Sequence, residues 1–357
     1  MGKYLWSLLI LVCTLFLTII SCNPHPASSN KTVLILLILS SLMTPPLSAA
    51  EVFKRNSVVM GTDIELTAFT PDKTDETRVN AAFDAAIREM ERIEGEMSEW
   101  REGTPISLVN QKAGKEAVPV PDELFQVIAA AQKVSRLSNG AFDISWAAMR
   151  GIWNFAKGEE HLPAPEEVQK RLPLVNYKNI ELDEVKRSVF LRKPGMAIGL
   201  GAIAKGYAVD KAMQALVDSG INNALVKAGG DMRVQGMNDG KPWDIGIRHP
   251  RSREKLLGKL PLGNISISTS GDYERFFIKD GILYHHIMDP KTGYPARGCQ
   301  SVTILAPDTM TSDALSTAVF VLGPDEGMKL IKGLPGIEGI IVNSEGKVHY
   351  SAGISLN

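Results

Sequence analysis

Glu274-Arg275-Phe276-Phe277-Ile278-Lys279-Asp280-Gly281-Ile282-Leu283-Tyr284-His285-His286 reads as two short strands, Glu274–Ile278 and Ile282–His286, folded back at Asp280-Gly281. An Asp-Gly pair supplies the positive φ angles that a two-residue hairpin turn demands. The segments around it repeat the pattern. Short strands are predicted at Ala224–Val234, Trp243–Arg248, Ile265–Ser268 and Ser301–Ala306, and a closing pair at Gly339–Val342 and Val348–Ser351. Hairpins outnumber βαβ crossovers, so the chain is read as α+β, with mixed, largely antiparallel sheets flanked by helices.

Upstream, Val58–Phe69 is predicted as one strand, with Ile64, Leu66 and Ala68 on one face. Thr77–Met97 is a helix whose Val79, Phe83, Ala86, Met90, Ile93 and Met97 recur every three or four residues. Asp122–Leu137 is a second, with Gly140 beyond its end, and Ala202–Val217 a third, closed at Gly220. Ile180–Arg192 reads as a hairpin. Further helices are predicted around 313–322 and 325–332.

The 357 residues carry a net charge of −1, which excludes the basic footprint of a nucleic-acid binder. Charge is nearly absent before Glu51: only Lys3 and Lys31 interrupt two apolar runs. The first ends at Ile19-Ile20-Ser21-Cys22, which resembles a lipoprotein cleavage box with Cys22 as the lipidated residue. The second ends at Ser48-Ala49-Ala50, a small-residue site that fits ordinary signal-peptide cleavage. Residues 1–50 are therefore expected to be an export or membrane-targeting leader, and 51–357 the folded domain, outside the cytoplasmic membrane. Beyond the leader Cys299 is the sole cysteine, so the body forms no internal disulfide.

Several stretches carry chemical groups. In Ser312-Asp313-Ala314-Leu315-Ser316-Thr317-Ala318, a helical reading puts Asp313 and Thr317 on one face. A carboxylate above a hydroxyl suits a hard cation such as Mg²⁺. The same Asp equally suits an N-cap. Gly199-Leu200-Gly201-Ala202-Ile203-Ala204-Lys205-Gly206-Tyr207 lets a phosphate approach a helix start, with Lys205 as a point charge, or is simply a tight turn; it is neither a Walker A loop nor a dinucleotide fingerprint. Ala228-Gly229-Gly230-Asp231 permits a bulge or positive φ. Ser268-Thr269-Ser270-Gly271 suits a phosphate nest or an ordinary turn. His285-His286-Ile287-Met288-Asp289 holds a candidate general base, a transition-metal site or a polar strand end, with no Cys–His zinc pattern beside it. Trp100, just after the first long helix, offers a stacking platform or core packing.

Taken in order, these stretches resemble the ApbE family of flavin transferases across residues 56–356. The matching motifs are Met60-Gly61-Thr62, Ser98-Glu99-Trp100, Gly140-Ala141-Phe142-Asp143, Gly199 to Tyr207, Gly229-Gly230-Asp231, Thr269 to Tyr273, His286 to Gly293 and Asp313 to Thr317. The resemblance implies an ApbE-like, T-fold-like architecture. It also implies a Mg²⁺-dependent enzyme that splits FAD, moves FMN to a Ser or Thr hydroxyl of an acceptor protein, and releases AMP. By the same resemblance, Asp313, Thr317 and the Ala202 carbonyl would hold Mg²⁺. Met60, Trp100, Ala141, Phe142, Asp143, Lys205 and Ile287 would bind FAD, and His286 would take the hydroxyl proton. The acceptor would be a flavoprotein of a redox-driven membrane complex. One position departs from the pattern: the Asp that opens the glycine-rich stretch in relatives, where it contacts the dinucleotide, is Gly199 here, so that polar contact is missing or supplied from elsewhere. The rival readings are a FAD pyrophosphatase of the same fold and a flavin-binding lipoprotein without chemistry.

Overall fold

The computed structural model describes residues 51–70 and 76–356. The expected leader, with Cys22 and both expected cleavage sites, lies outside the described residues. Among the described residues, no helix is long and apolar enough to cross a membrane.

Strands β1 (Glu51–Val59) and β2 (Thr62–Thr70) form a hairpin in which Val59 faces Thr62. The single strand predicted over Val58–Phe69 is thus two. Met60 and Gly61 between them have φ of 55° and 65°, the left-handed pair that a tight hairpin turn requires. The apolar alternation runs through the turn and hides it, and Met is an unusual residue to hold positive φ.

Helix α1 (Glu76–Met97) follows, then α2 (Asp122–Leu137), α3 (Ala204–Asp218), strands β3 (Ala224–Ala228) and β4 (Asp231–Gln235), and the hairpin β5 (Trp243–His249) with β6 (Ser252–Leu262). Next come β7 (Ile265–Gly271), β8 (Phe276–Lys279), β9 (Ile282–His285) and β10 (Cys299–Ala306). Helices α4 (Thr309–Leu322) and α5 (Pro324–Lys332) precede β11 (Glu338–Asn343) and β12 (Val348–Tyr350). Among the described residues, eight strands make one antiparallel sheet in the order β1-β2-β3-β4-β7-β10-β11-β12.

Both faces of this sheet are covered. Ala224, Val226 and Ala228 of β3, and Val302, Ile304 and Ala306 of β10, turn toward the helices. Leu225, Leu305 and Ile340 turn the other way, onto Trp243, Ile245 and Leu260 of the β5–β6 hairpin. The period-two alternation of a strand serves two apolar layers at once, which is why β10 is buried throughout its length. Strand β6 was not foreseen from the sequence, because its first four residues after Ser252 are all exposed and three of them are charged. α+β with antiparallel sheets is the observed class.

Candidate active site

The site is built where α3 and α4 cross at their first turns. Gly206 makes the crossing possible: a Cβ there would overlap the Thr309 carbonyl and come 2.8 Å from Asp313 Cβ. Helix α4 starts three residues before the predicted Ser312, and its N-cap is Asp308, which accepts from Thr311 N at 2.8 Å. Asp210 of α3 adds acceptors for the Thr309 and Met310 amides at 2.9 Å. Asp313 therefore does not cap its own helix. Its carboxylate crosses to α3, whose N-cap Ile203 has no capping side chain, and accepts from Gly206 N at 3.0 Å.

Lys205 stands beside it. Its ammonium donates to the Gly201 carbonyl at 2.9 Å and lies 3.2 Å from Asp231 Oδ2 and 3.6 Å from Asp313 Oδ2. Burial disfavours the Lys205 charge, but the two carboxylates outweigh it and raise its pKa above the ordinary value. Burial, then the neighbouring Asp231 charge, raise the pKa of Asp313 despite the pull of Lys205. Asp231 and Asp313 are buried beside a single ammonium, and burial with mutual repulsion favours the neutral form of Asp313, a cost that a bound cation would relieve. With the Thr317 hydroxyl one turn along α4 and the Ala202 carbonyl beside Gly201, the oxygen donors fit a hard divalent ion completed by substrate oxygens. Among the described residues no three His, Cys, Asp or Glu side chains converge as a metal site.

A ladder of hydroxyl pairs holds α4 against β7. Ser266 meets Thr309 at 2.8 Å, Ser268 meets Ser312 at 2.7 Å, and Ser270 meets Ser316 at 2.8 Å and Thr317 at 3.3 Å. Alternate residues of the strand thus match a helical i, i+3, i+7 series. The Ser268-Thr269-Ser270 stretch, offered above as a nest or turn, is a strand whose hydroxyls are engaged: Thr269 meets Thr303 across the sheet at 2.8 Å.

The two histidines divide their roles. His285 is committed to the fold: its Nε2 meets the Ala296 carbonyl at 2.8 Å and its Nδ1 accepts from Ile287 N at 3.2 Å. That leaves no ring nitrogen for a metal, so the transition-metal reading of the cluster does not hold. His286 is different. Its Nδ1 is buried without a hydrogen-bond partner among the described residues. Burial, then the charges of neighbouring groups including Arg275 and Lys205, push its pKa down to about 4. The ring is neutral near pH 7 and able to accept a proton.

The other predicted residues spread along the same rim or into the core behind it. Met60 sits in the β1–β2 turn, beside the Gly229-Gly230 turn that leads to Asp231, where Gly229 N donates to Asp63 O at 3.1 Å. Trp100 is 72% exposed, with the Arg150 guanidinium 4.0 Å from its ring centroid. Ala141 and Phe142 are buried. Asp143 is a cap: it accepts from Ser145 N at 2.8 Å, Ser145 Oγ at 2.6 Å and Tyr177 N at 2.7 Å. Burial raises its pKa, partly offset by these bonds. The Ile287 side chain is also in the core. The backbone here is engaged as well: Ile287 N donates to His285 Nδ1, Ile287 O accepts from Ala296 N at 3.0 Å, and Phe142 N donates to Ser138 Oγ at 3.0 Å. Asp231 was overlooked as a member of the site, although its Gly-Gly-Asp setting marks the close approach: a Cβ on Gly230 would lie 2.5 Å from the Thr269 carbonyl.

The family model described as the ApbE family matches residues 60–341. The FAD:protein FMN transferase of Treponema pallidum is 31% identical over 318 residues, covering 85% of this chain and 87% of that protein. The crystal structure of the ApbE protein from Thermotoga maritima aligns with a TM-score of 0.76 at 35% identity, over 85% of this chain and 97% of the other. The flavin transferase ApbE from Vibrio cholerae aligns with a TM-score of 0.75 at 28% identity, over 85% and 98%.

Proposed function

The chain belongs to the ApbE family, and from that premise we propose that it is a FAD:protein FMN transferase, joining FMN to a Ser or Thr hydroxyl of an acceptor protein. The observation that carries the reading is the Lys205–Asp231–Asp313 cradle, in which two buried carboxylates share one ammonium.

In the proposed reaction the acceptor oxygen attacks the phosphorus of the FMN half of FAD. The bond from that phosphorus to the bridging oxygen breaks, and AMP leaves with the bridging oxygen. His286 takes the hydroxyl proton as general base. Lys205 faces the charge that gathers on the leaving phosphate, in a site where protein groups replace water. Asp313, Thr317 and the Ala202 carbonyl would hold Mg²⁺, which when bound supplies Lewis-acid stabilisation of the phosphate oxygens. Met60, Trp100, the backbone of 141–143 and Ile287 would border the dinucleotide.

The leader supports an address on the outer side of the cytoplasmic membrane, tethered through Cys22 or released after Ala50. An acceptor flavoprotein of a redox-driven membrane complex suits that address.

The test mixes the purified protein with FAD, Mg²⁺ and an acceptor domain, then follows flavin fluorescence and intact mass on the denatured acceptor. An FMN-sized gain that EDTA abolishes supports the transferase. Free FMN and AMP beside an unlabelled acceptor would replace it with a pyrophosphatase, and intact FAD would leave a binding protein.

A further inference from the structure

Gly199 keeps an ordinary φ, so its backbone accepts a side chain; the obstacle is a neighbour. A Cβ built on Gly199 would lie 2.8 Å from Glu99 Oε1 and 3.1 Å from the Ala147 methyl. The space a residue-199 side chain would enter is thus taken by the end of Glu99. That side chain is only 8% exposed, and the Arg150 guanidinium, 3.1 Å away, is its ion-pair partner. Arg150 also donates to the Glu99 carbonyl at 3.3 Å. The same guanidinium backs the ring of Trp100, a large and mostly exposed aromatic. A carboxylate accepts about four hydrogen bonds, so one guanidinium does not exhaust it. A buried charge is costly unless its remaining acceptor capacity is used.

Position matters as much as chemistry. Gly199 is two residues before Gly201, whose carbonyl holds the Lys205 ammonium. With consecutive Cα atoms about 3.8 Å apart, the two glycines are at most about 7.6 Å apart. The Glu99 carboxylate thus meets the same glycine-rich stretch that holds Lys205, two residues before the Lys205 contact.

Resting on the function proposed above, we propose that Glu99, held by Arg150, is a dinucleotide-binding residue in this chain. It accepts from the N–H edge of a planar ring stacked on Trp100, from the space that a side chain at position 199 would otherwise enter. Gly199 is glycine to make room for it. Adenine and the flavin ring both carry such an N–H edge, and the two halves of FAD can be offered separately.

The test measures binding of FAD, AMP and FMN to the full-length protein in detergent by calorimetry, with melting temperature alongside. Glu99→Gln and Glu99→Ala should weaken FAD binding about 10- to 100-fold, the size of a lost charge-assisted hydrogen bond. A matching loss for AMP alone identifies the adenine edge, and for FMN alone the flavin edge. Gly199→Asp should weaken binding in the wild-type background, where it collides with Glu99, and restore it in Glu99→Ala. Unchanged FAD affinity in Glu99→Gln and Glu99→Ala, with or without a lower melting temperature, overturns the proposal and reduces Glu99 to a structural partner of Arg150. Wild-type protein that binds no FAD would instead overturn the function on which the proposal rests.

Discussion

Asp313 accepts the amide of Gly206 at 3.0 Å across 107 residues of chain. One carboxylate thereby caps α3, shares the Lys205 ammonium and stands where a cation would be held. Asp313→Asn keeps an acceptor for Gly206 and should leave the fold intact, while transfer falls about 100- to 1,000-fold through lost charge stabilisation. Mg²⁺ should raise the melting temperature of the wild type and leave that of Asp313→Asn unmoved, since a ligand stabilises only the state that binds it. An equal Mg²⁺ shift in both proteins would remove Asp313 from the cation site.

Gly206→Ala probes the helix crossing. The new methyl meets the Thr309 carbonyl, which belongs to a helix backbone and cannot swing aside. A cost of about 1–3 kcal/mol is expected from overpacking. Denaturant unfolding would show it as a lower midpoint at unchanged slope.

The pH dependence follows from His286. Its ordinary pKa of 6.5 is depressed to about 4 in the folded protein, so the unfolded chain binds more protons between those values. Its contribution to stability is complete above pH 6.5 and is lost as pH falls through about 4. The kcat/KM profile, which reports the free enzyme, should show a bend near pH 4 to 5 from His286, separate from any bend near 7 that Asp313 contributes. His286→Asn should erase the lower bend along with most of the activity; a surviving lower bend would assign it to another group.

Ser268→Ala removes the middle rung between β7 and α4. About 1 kcal/mol should be lost, because Ser312 keeps its bond to the Thr309 carbonyl at 3.1 Å. Adding Ser312→Ala should cost less than the sum of the single changes, which a double-mutant cycle in urea would measure.

Much of this architecture was legible in local pattern. Helix α2 begins and ends at the predicted Asp122 and Leu137, since acidic residues open it and apolar residues recur at helical spacing. The Met60-Gly61 turn was not, because alternation continues through it and Met gives no warning of positive φ. The start of α4 was displaced because Asp308 and Asp313 both resemble caps, and only the neighbour at Gly206 separates them. The site was read as separate motifs. The convergence of Lys205, Asp231 and Asp313 depends on strand order, which local periodicity does not encode. Glu99 passed unnoticed for the same reason: its partner in space is a glycine a hundred residues on.

The hydroxyl ladder has one more consequence. Hydrocarbon surfaces can slide past one another by fractions of a residue at little cost, but paired hydroxyls work like teeth on a rack. The strand offers its hydroxyls at every second residue, so a slip of one residue turns all of them to the opposite face. Helix α4 has one seating on the sheet and no near neighbour to drift into. Whatever Asp313 and Thr317 hold is therefore positioned in discrete steps, and loosening this helix would switch the centre off instead of dimming it.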